Sequence, residues 1–315
     1  MTARSILVYH PEPGEAQAYA GLIKQAKPPF TVTVCAMPAE ALPHISDAEI
    51  LYAWNFPREL LPRATRLRWA QSMGAGVERL MVPELPRRVK VTRVAGIFGP
   101  WMAEYVLGWC LWLTQRTELF RAQQRERRWR QADPLRLHGA TLCVIGLGDI
   151  GCTIARAARA FGMRVVGASR SGRKVAEAER VYKARDIRKA VAAADFVALT
   201  VPLTDATRGL IGAAELAAMR PSAWLINIAR GPIVDEAALL DALRAHRLGG
   251  AVLDVFDEEP LPQGHPLWEL GNVVITPHIS GPSTPGEVAP IFNDNLRRYL
   301  AGRALRYGVN RPRGY

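Results

Sequence analysis

An arginine, a glutamate and a histidine each stand just behind an apolar run, where a parallel sheet presents side chains to a ligand. Arg230 lies in Asn227-Ile228-Ala229-Arg230-Gly231, after the run 223–228. Its guanidinium is always charged and can grip a carboxylate through two parallel hydrogen bonds. His278 lies in Thr276-Pro277-His278-Ile279-Ser280, after the run 273–276. An imidazole exchanges its proton near neutral pH and serves as a general acid or base. Glu259 lies in Asp254-Val255-Phe256-Asp257-Glu258-Glu259-Pro260, after the run 251–255. A carboxylate bonded to an imidazole would hold it protonated. Taken singly, each has a plainer reading: a surface ion pair, a structural histidine, a loop glutamate.

A glycine turn supplies the partner for such chemistry. Leu142, Cys143, Val144 and Ile145 read as a buried strand that breaks into G-x-G-x-x-G at Gly146, Gly148 and Gly151. A helical pattern follows, with Ile150, Ile154, Ala157, Ala158 and Phe161 on one face, and Gly162 stops it. Residues 163–168 read as the next strand. Strand, glycine turn, helix and strand form the setting of a dinucleotide-binding turn. Gly146 permits the tight turn, Gly148 admits a pyrophosphate to the backbone, and Gly151 lets helix and strand pack closely. The expected cradle is Gly146, Leu147, Gly148, Asp149, Ile150 and Gly151, at a helix N-terminus with free N–H groups and a positive dipole end. About 20 residues on, an NAD site carries an acid for the ribose 2′-hydroxyl. Here the chain has Ser169, Arg170 and Ser171, then Gly172, Arg173 and Lys174. Two hydroxyls and a cationic cluster suit a 2′-phosphate, with Arg170 forking onto it or stacking on the adenine. NADP(H) is favoured and NAD(H) is the second candidate.

The elements that must position these groups alternate strand and helix. Residues 5–9, 31–35, 50–54, 67–71 and 89–94 read as strands, and a helix over 15–27 ends at Pro28-Pro29. A long helical pattern starts at Trp101, passes Ala103, Val106, Leu107, Leu111 and Leu113, and runs into an arginine-rich segment until Asp133-Pro134. Its apolar width suggests burial between domains or subunits. Beyond the glycine turn, helices over 190–194, 215–219 and 235–246 alternate with strands over 196–201, 223–228, 251–255 and 273–276. Asp235 caps the third of these helices and Gly249-Gly250 ends it. A last helix spans 288–300. The alternation predicts an α/β fold with parallel sheets.

Composition bounds the partners. The 315 residues allow one large or two ordinary domains. The net charge is +12, with much of the excess in Arg116, Arg121, Arg125, Arg127, Arg128 and Arg130. At helical spacing this reads as a solvated face. No recognition module accompanies it, so no nucleic-acid partner is expected. The positive field would instead concentrate anionic substrate and cofactor. The most apolar stretch, 106–113, is too short to cross a bilayer, so no membrane partner is expected. Residues 1–9 read as a first strand and not as a signal peptide. Cys35, Cys110, Cys143 and Cys152 are scattered without metal spacing, which predicts reduced thiols, a cytoplasmic location and no bound metal.

The glycine fingerprint, N-I-A-R-G-P-I-V-D-E over 227–236, D-V-F-D-E-E-P over 254–260 and T-P-H-I over 276–279 together resemble the D-isomer-specific 2-hydroxyacid dehydrogenases, across nearly the whole chain. Within that family Tyr9-His10-Pro11, Leu51-Tyr52-Ala53-Trp54 and Arg311-Pro312-Arg313-Gly314-Tyr315 look like the glyoxylate/hydroxypyruvate reductase A subgroup. The resemblance implies two doubly wound parallel-sheet domains. A Rossmann cofactor domain, 100–284, would be inserted into a flavodoxin-like substrate domain, 1–99 and 285–315. It implies that Arg230 binds the substrate carboxylate and carbonyl, that His278 donates the proton and that Glu259 is its partner. Asp254 would meet the nicotinamide carboxamide, and Pro202, Thr207, Ile228 and Ala229 would line the cofactor site. Met73, Gly74, Ala75 and Gly76 match a glycine loop whose backbone N–H groups bind the substrate carboxylate. Trp54, with Phe98 and Trp101, would shape the pocket. A homodimer through the cofactor domain is also implied. The stretches Ile97-Phe98-Gly99-Pro100-Trp101 and Ile279-Ser280-Gly281-Pro282 depart from the usual pattern, which bears on substrate identity more than on reaction type.

The resulting expectation is an NADPH-dependent reductase of a small 2-oxo acid, of glyoxylate or hydroxypyruvate type, giving the D-2-hydroxy acid. Two alternatives stand beside it: an NAD-linked dehydrogenase of another acid such as phosphoglycerate, and a non-catalytic NAD(P)-sensing interaction protein. The complete arginine, glutamate and histidine set argues for catalysis.

Overall fold

Continuous apolar runs in this chain become parallel strands buried on both faces, the mark of sheets covered by helices. The computed structural model describes residues 4–25 and 30–315. The chain divides into two compact units, Met1–Ile97 with Ser283–Tyr315, and Phe98–Pro282. Each crossing lies two residues before the expected boundary, at 97/98 instead of 99/100 and at 282/283 instead of 284/285.

In the first unit β1 (Ser5–Tyr9), β2 (Thr31–Cys35), β3 (Ile50–Ala53), β4 (Trp69–Ser72) and β5 (Lys90–Thr92) form a sheet in the order β2-β1-β3-β4-β5. That is the flavodoxin-like order. A helix, Pro13–Gln25, follows β1; its expected end at Pro28-Pro29, and the reading of residues 1–3, lie outside the described residues. β4 starts later than expected because Leu67, though buried, turns its N–H back to the carbonyl of Ala64. The helix Pro285–Leu300 belongs to this unit through its aromatic face. Phe292 stacks on Tyr52 at 4.0 Å and on Trp69 at 5.2 Å between ring centroids. Such pairs add about 0.5–1.5 kcal/mol each beyond burial. On the same helix the fully buried Asn295 donates from Nδ2 to Gln71 Oε1 at 3.1 Å.

The second unit holds β6 (Thr141–Ile145), β7 (Arg164–Ser169), β8 (Arg180–Lys183), β9 (Phe196–Leu199), β10 (Trp224–Asn227), β11 (Gly250–Leu253) and β12 (Val273–Ile275). They are all parallel, in the order β12-β11-β10-β9-β6-β7-β8. The sheet grows outward from β6 in both directions, the doubly wound Rossmann arrangement, with its switch point between β6 and β9. The edge strand β8 was not expected: both its end residues are exposed and it has no apolar run.

Two helix expectations are corrected. The pattern starting at Trp101 is two helices, Phe98–Thr114 and Thr117–Arg125, and does not reach Asp133. Arg116 lies between them at φ +51°, in the left-handed region that ends helical dihedrals. The helix capped by Asp235, whose side chain accepts the Ala238 N–H, runs over Glu236–Arg244. It ends with His246 at φ +49° and not at Gly249-Gly250. Gly250 instead opens β11, where a Cβ would collide with the carbonyl of Asn272. All four cysteines are free. Among the described residues no helix is long and apolar enough to cross a membrane.

Candidate active site

β10, β11 and β12 are neighbours and parallel, so their carboxyl ends share one edge of the sheet. Arg230 follows β10, Glu259 follows β11 and His278 follows β12. Residues far apart in sequence are therefore delivered side by side. His278 Nδ1 lies 2.9 Å from Glu259 Oε2, and Glu259 Oε1 accepts the Phe256 N–H at 3.0 Å. Burial pushes the Glu259 carboxyl up. The His278 hydrogen bond, the Phe256 N–H and the charges of His278 and Arg230 outweigh it and hold the group below its ordinary 4.5. It is thus a carboxylate at neutral pH, accepting from Nδ1 and leaving Nε2 for proton transfer. The influence of Arg230 on Glu259 ties the third group to the same place.

Arg230 is set by its neighbours. Asn227, almost fully buried, accepts the Ala229 N–H at 3.1 Å and donates from Nδ2 to the Arg230 carbonyl at 3.0 Å. Arg230 Nη1 donates to the Ala229 carbonyl at 2.6 Å. At Gly231 a Cβ would collide with the backbone of Phe256 and Asp257. Only glycine lets this strand end lie against the segment that leads to Glu259. The sequence motif contains Asn227 and Gly231 without assigning either a role. An asparagine two residues before a strand-end bend is the available signal, since its side chain bonds nearby backbone.

His278 has φ +54°, a left-handed conformation that costs a residue with a Cβ roughly 1–2 kcal/mol. Asp254 holds it there. The His278 N–H donates to the Asp254 carbonyl at 2.9 Å. The Asp254 carboxylate accepts Thr276 Oγ1 at 2.6 Å, the Ile279 N–H at 2.8 Å and the Ser280 N–H at 2.9 Å. The side chain is fully buried, and both of its oxygens brace the loop of His278.

The glycine turn has the shape of a pyrophosphate cradle. Gly146 sits at φ +107°, where a Cβ would come within 2.8 Å of Val201 Cγ1. At Gly151 a Cβ would collide with the Gly146 carbonyl oxygen, whereas nothing lies within 4 Å of one at Gly148. Thr200, just past β9, donates to the Gly146 carbonyl at 2.6 Å and ties the two sides of the switch point. Asp149 begins the helix Asp149–Ala160, and Leu147 and Ile150 pack against the core.

A cavity of about 440 Å³ lies at the end of β7, lined by Leu147, Ser169, Ser171, Arg173 and Lys174 among others. Ser169 Oγ accepts the Gly172 N–H and Ser171 Oγ accepts the Arg173 N–H, so each hydroxyl keeps its own proton to donate. Arg170 does not line this cavity; Arg173 and Lys174 do. In the loop after β9, Thr207 Oγ1 donates to the Pro202 carbonyl at 2.6 Å and accepts the Thr204 N–H at 2.8 Å, closing the turn. Ile228 and Ala229 are buried.

Trp54, Met73, Gly74, Ala75 and Gly76 belong to the other unit, following β3 and β4. The Trp54 ring covers Gly74, where a Cβ would collide with it, and stacks on His10 at 6.3 Å. In the glycine loop 73–76 two amides are engaged within the unit. The Met73 N–H donates to the Ala53 carbonyl and the Gly74 N–H to Ser72 Oγ. Among the described residues the amides of Ala75 and Gly76 have no internal acceptor.

Residues 107–280 match the family model described as D-isomer specific 2-hydroxyacid dehydrogenase, NAD binding domain. The glyoxylate/hydroxypyruvate reductase A of Serratia proteamaculans is 32% identical over 309 residues, 95% of this chain and 96% of that protein. The D-3-phosphoglycerate dehydrogenase of Methanocaldococcus jannaschii is 32% identical over 310 residues, 96% of this chain, but the chain spans only 56% of that relative. The solved NADPH-dependent glyoxylate/hydroxypyruvate reductase of Sinorhizobium meliloti, in complex with NADP and sulfate, has a TM-score of 0.90 at 29% identity. That similarity covers 100% of both chains.

Proposed function

The chain belongs to the D-isomer-specific 2-hydroxyacid dehydrogenases, an NAD(P)-dependent family, and within it we propose that this enzyme reduces a small 2-oxo acid with NADPH. The product is the D-2-hydroxy acid, and the substrate is of glyoxylate or hydroxypyruvate type. The observation carrying the proposal is the meeting of His278 and Glu259 at 2.9 Å, beside the charge of Arg230, on three adjacent strand ends. The Phe98–Pro282 unit takes the cofactor and the other unit serves the substrate. When bound, the nicotinamide supplies the hydride. Arg230 pairs with the substrate carboxylate and polarises the carbonyl. His278 Nε2 gives its proton to the carbonyl oxygen as that oxygen gains charge. Glu259 keeps the imidazole oriented through Nδ1. The open face of Gly148 and the cavity of Ser169, Ser171, Arg173 and Lys174 fit a pyrophosphate and a 2′-phosphate, which supports NADPH over NADH.

The test is steady-state turnover of glyoxylate, hydroxypyruvate, pyruvate and phenylpyruvate with each cofactor. Glyoxylate or hydroxypyruvate with NADPH should give the highest kcat/KM. Replacing both Arg173 and Lys174 by Ala should raise the KM for NADPH by about 10- to 100-fold, the worth of one or two charge-assisted contacts, and leave NADH unaffected. A native preference for NADH would turn the reading toward an NAD-linked dehydrogenase. Absence of turnover with all four acids would turn it toward a cofactor-sensing role.

The proposal includes a homodimer through the Phe98–Pro282 unit. Its helix Thr117–Arg125 buries none of its residues, and Trp129 is 97% exposed beyond the partly exposed Leu119 and Phe120. Exposed large apolar side chains support an association surface on this unit. Light scattering should give twice the 34.7 kDa chain mass, and Trp129→Ser should shift the population toward the single chain. Four free thiols support a reducing, cytoplasmic setting.

A further inference from the structure

We infer that Tyr105 is a positioning residue for the proton donor, acting through a buried relay from Tyr105 to Thr276 to Asp254 that fixes the loop of His278. The inference rests on the reading of His278 as that donor. Tyr105 Oη lies 2.6 Å from Thr276 Oγ1, which lies 2.6 Å from Asp254 Oδ1. A threonine hydroxyl has one proton. Thr276 spends it on the carboxylate, so Tyr105 must donate to Thr276. The direction of the chain follows: Tyr105 O–H to Thr276 Oγ1, then Thr276 O–H to Asp254 Oδ1. Burial raises the Tyr105 phenol well above its ordinary 10.0, so it keeps the proton it donates. Successive hydrogen bonds polarise one another, and a low-dielectric surrounding strengthens each.

The far end of the relay is the part of the site under backbone strain. Asp254 receives the Ile279 and Ser280 N–H groups with the same carboxylate that Thr276 serves, and its carbonyl receives the N–H of His278. Thr276 is two residues before His278. Its orientation therefore bears on the carboxylate and on the left-handed residue together. Tyr105 is well placed to hold it. The ring sits edge-on to Trp109, 6.1 Å between centroids and 69° between planes. Its helix, Phe98–Thr114, lies so close to the helix after the glycine turn that a Cβ at Gly99 would come within 2.7 Å of Thr153 Oγ1. One helix thus braces the proton donor's loop and abuts the element expected to meet the phosphates.

The experiment compares Tyr105→Phe, Thr276→Val, Thr276→Ser and the Tyr105→Phe/Thr276→Val pair in the full chain. Three quantities are read: NADPH affinity by fluorescence titration, kcat and KM for glyoxylate, and amide hydrogen exchange of residues 276–281 without substrate. Tyr105→Phe should lower kcat about tenfold and Thr276→Val about 10- to 100-fold, the scale of a displaced reacting group. KM and NADPH affinity should stay within about twofold of the parent. Thr276→Ser, which keeps the hydroxyl, should retain most of the turnover. The double variant should be no worse than Thr276→Val alone, because members of a series chain are not additive. Exchange at 276–281 should quicken in Tyr105→Phe and Thr276→Val and not in Thr276→Ser. Unchanged kcat and exchange in Tyr105→Phe, or equal losses in the Val and Ser variants, would overturn the inference. Should Thr276→Val fail to fold, Tyr105→Phe, which removes a single oxygen, decides. A parent enzyme inactive on every 2-oxo acid would defeat the functional reading alone, and the exchange measurement would still judge the relay.

Discussion

Arg230→Ala is expected to lower kcat/KM for the 2-oxo acid by about 10³-fold, mostly as a rise in KM. Two charge-assisted hydrogen bonds to a carboxylate are worth about 1.5–3 kcal/mol each, and each 1.36 kcal/mol is about tenfold. The loss is not confined to substrate binding, because Arg230 is one of the charges that hold the Glu259 carboxyl below 4.5. Removing it therefore touches the partner of the proton donor as well, and a smaller fall in kcat should accompany the larger change in KM. Arg230→Lys keeps a cation but not the planar fork, so it should recover only part of the loss. NADPH affinity is the control. Asn227 and Gly231 fix the Arg230 backbone at the end of β10, away from the glycine turn after β6. A variant that loses NADPH affinity and keeps its KM for the acid would show the assignment of Arg230 to be wrong.

The strand-end positions of Arg230, Glu259 and His278 were legible because each follows a run of apolar residues, and buried parallel strands are little else. The two sheet orders add what a linear reading lacks: β10, β11 and β12 lie next to one another, so three distant loops meet. Other features were hidden for definite reasons. The full burial of Asp254 has no signal in the sequence, because acids are seldom fully buried. Its burial makes sense only once Thr276, Ile279 and Ser280 are seen to donate to it. Tyr105 carried no signal, since an aromatic on an apolar helix face reads as packing. The helix break at Arg116 has neither glycine nor proline to announce it. In the loop after β7, Gly172 stands at φ +67°, and Arg173 and Lys174 line the cavity beside Ser169 and Ser171. Spacing along a chain gives reach, and only the turn gives direction.

His278→Ala should lower kcat by about 10²–10⁴-fold, the usual contribution of a positioned general acid, with NADPH affinity and the KM for the acid nearly unchanged. The size of the loss depends on Glu259, whose carboxylate is needed at Nδ1. The pH dependence has a definite sign. Glu259 is depressed below 4.5 in the fold, so the stability its ionised form contributes is complete above about pH 4.5 and is lost as pH falls below that, through the folded value. Glu259→Gln should remove this acid-sensitive contribution and lower kcat while leaving KM almost alone. The two substitutions together separate the roles. Glu259 acts through the imidazole, so once His278 is alanine, Glu259→Gln has nothing left to orient and should cause no further fall in kcat. A full additional loss in the double variant would mean that the carboxylate touches the substrate itself, and the division of labour between the two side chains would have to be redrawn.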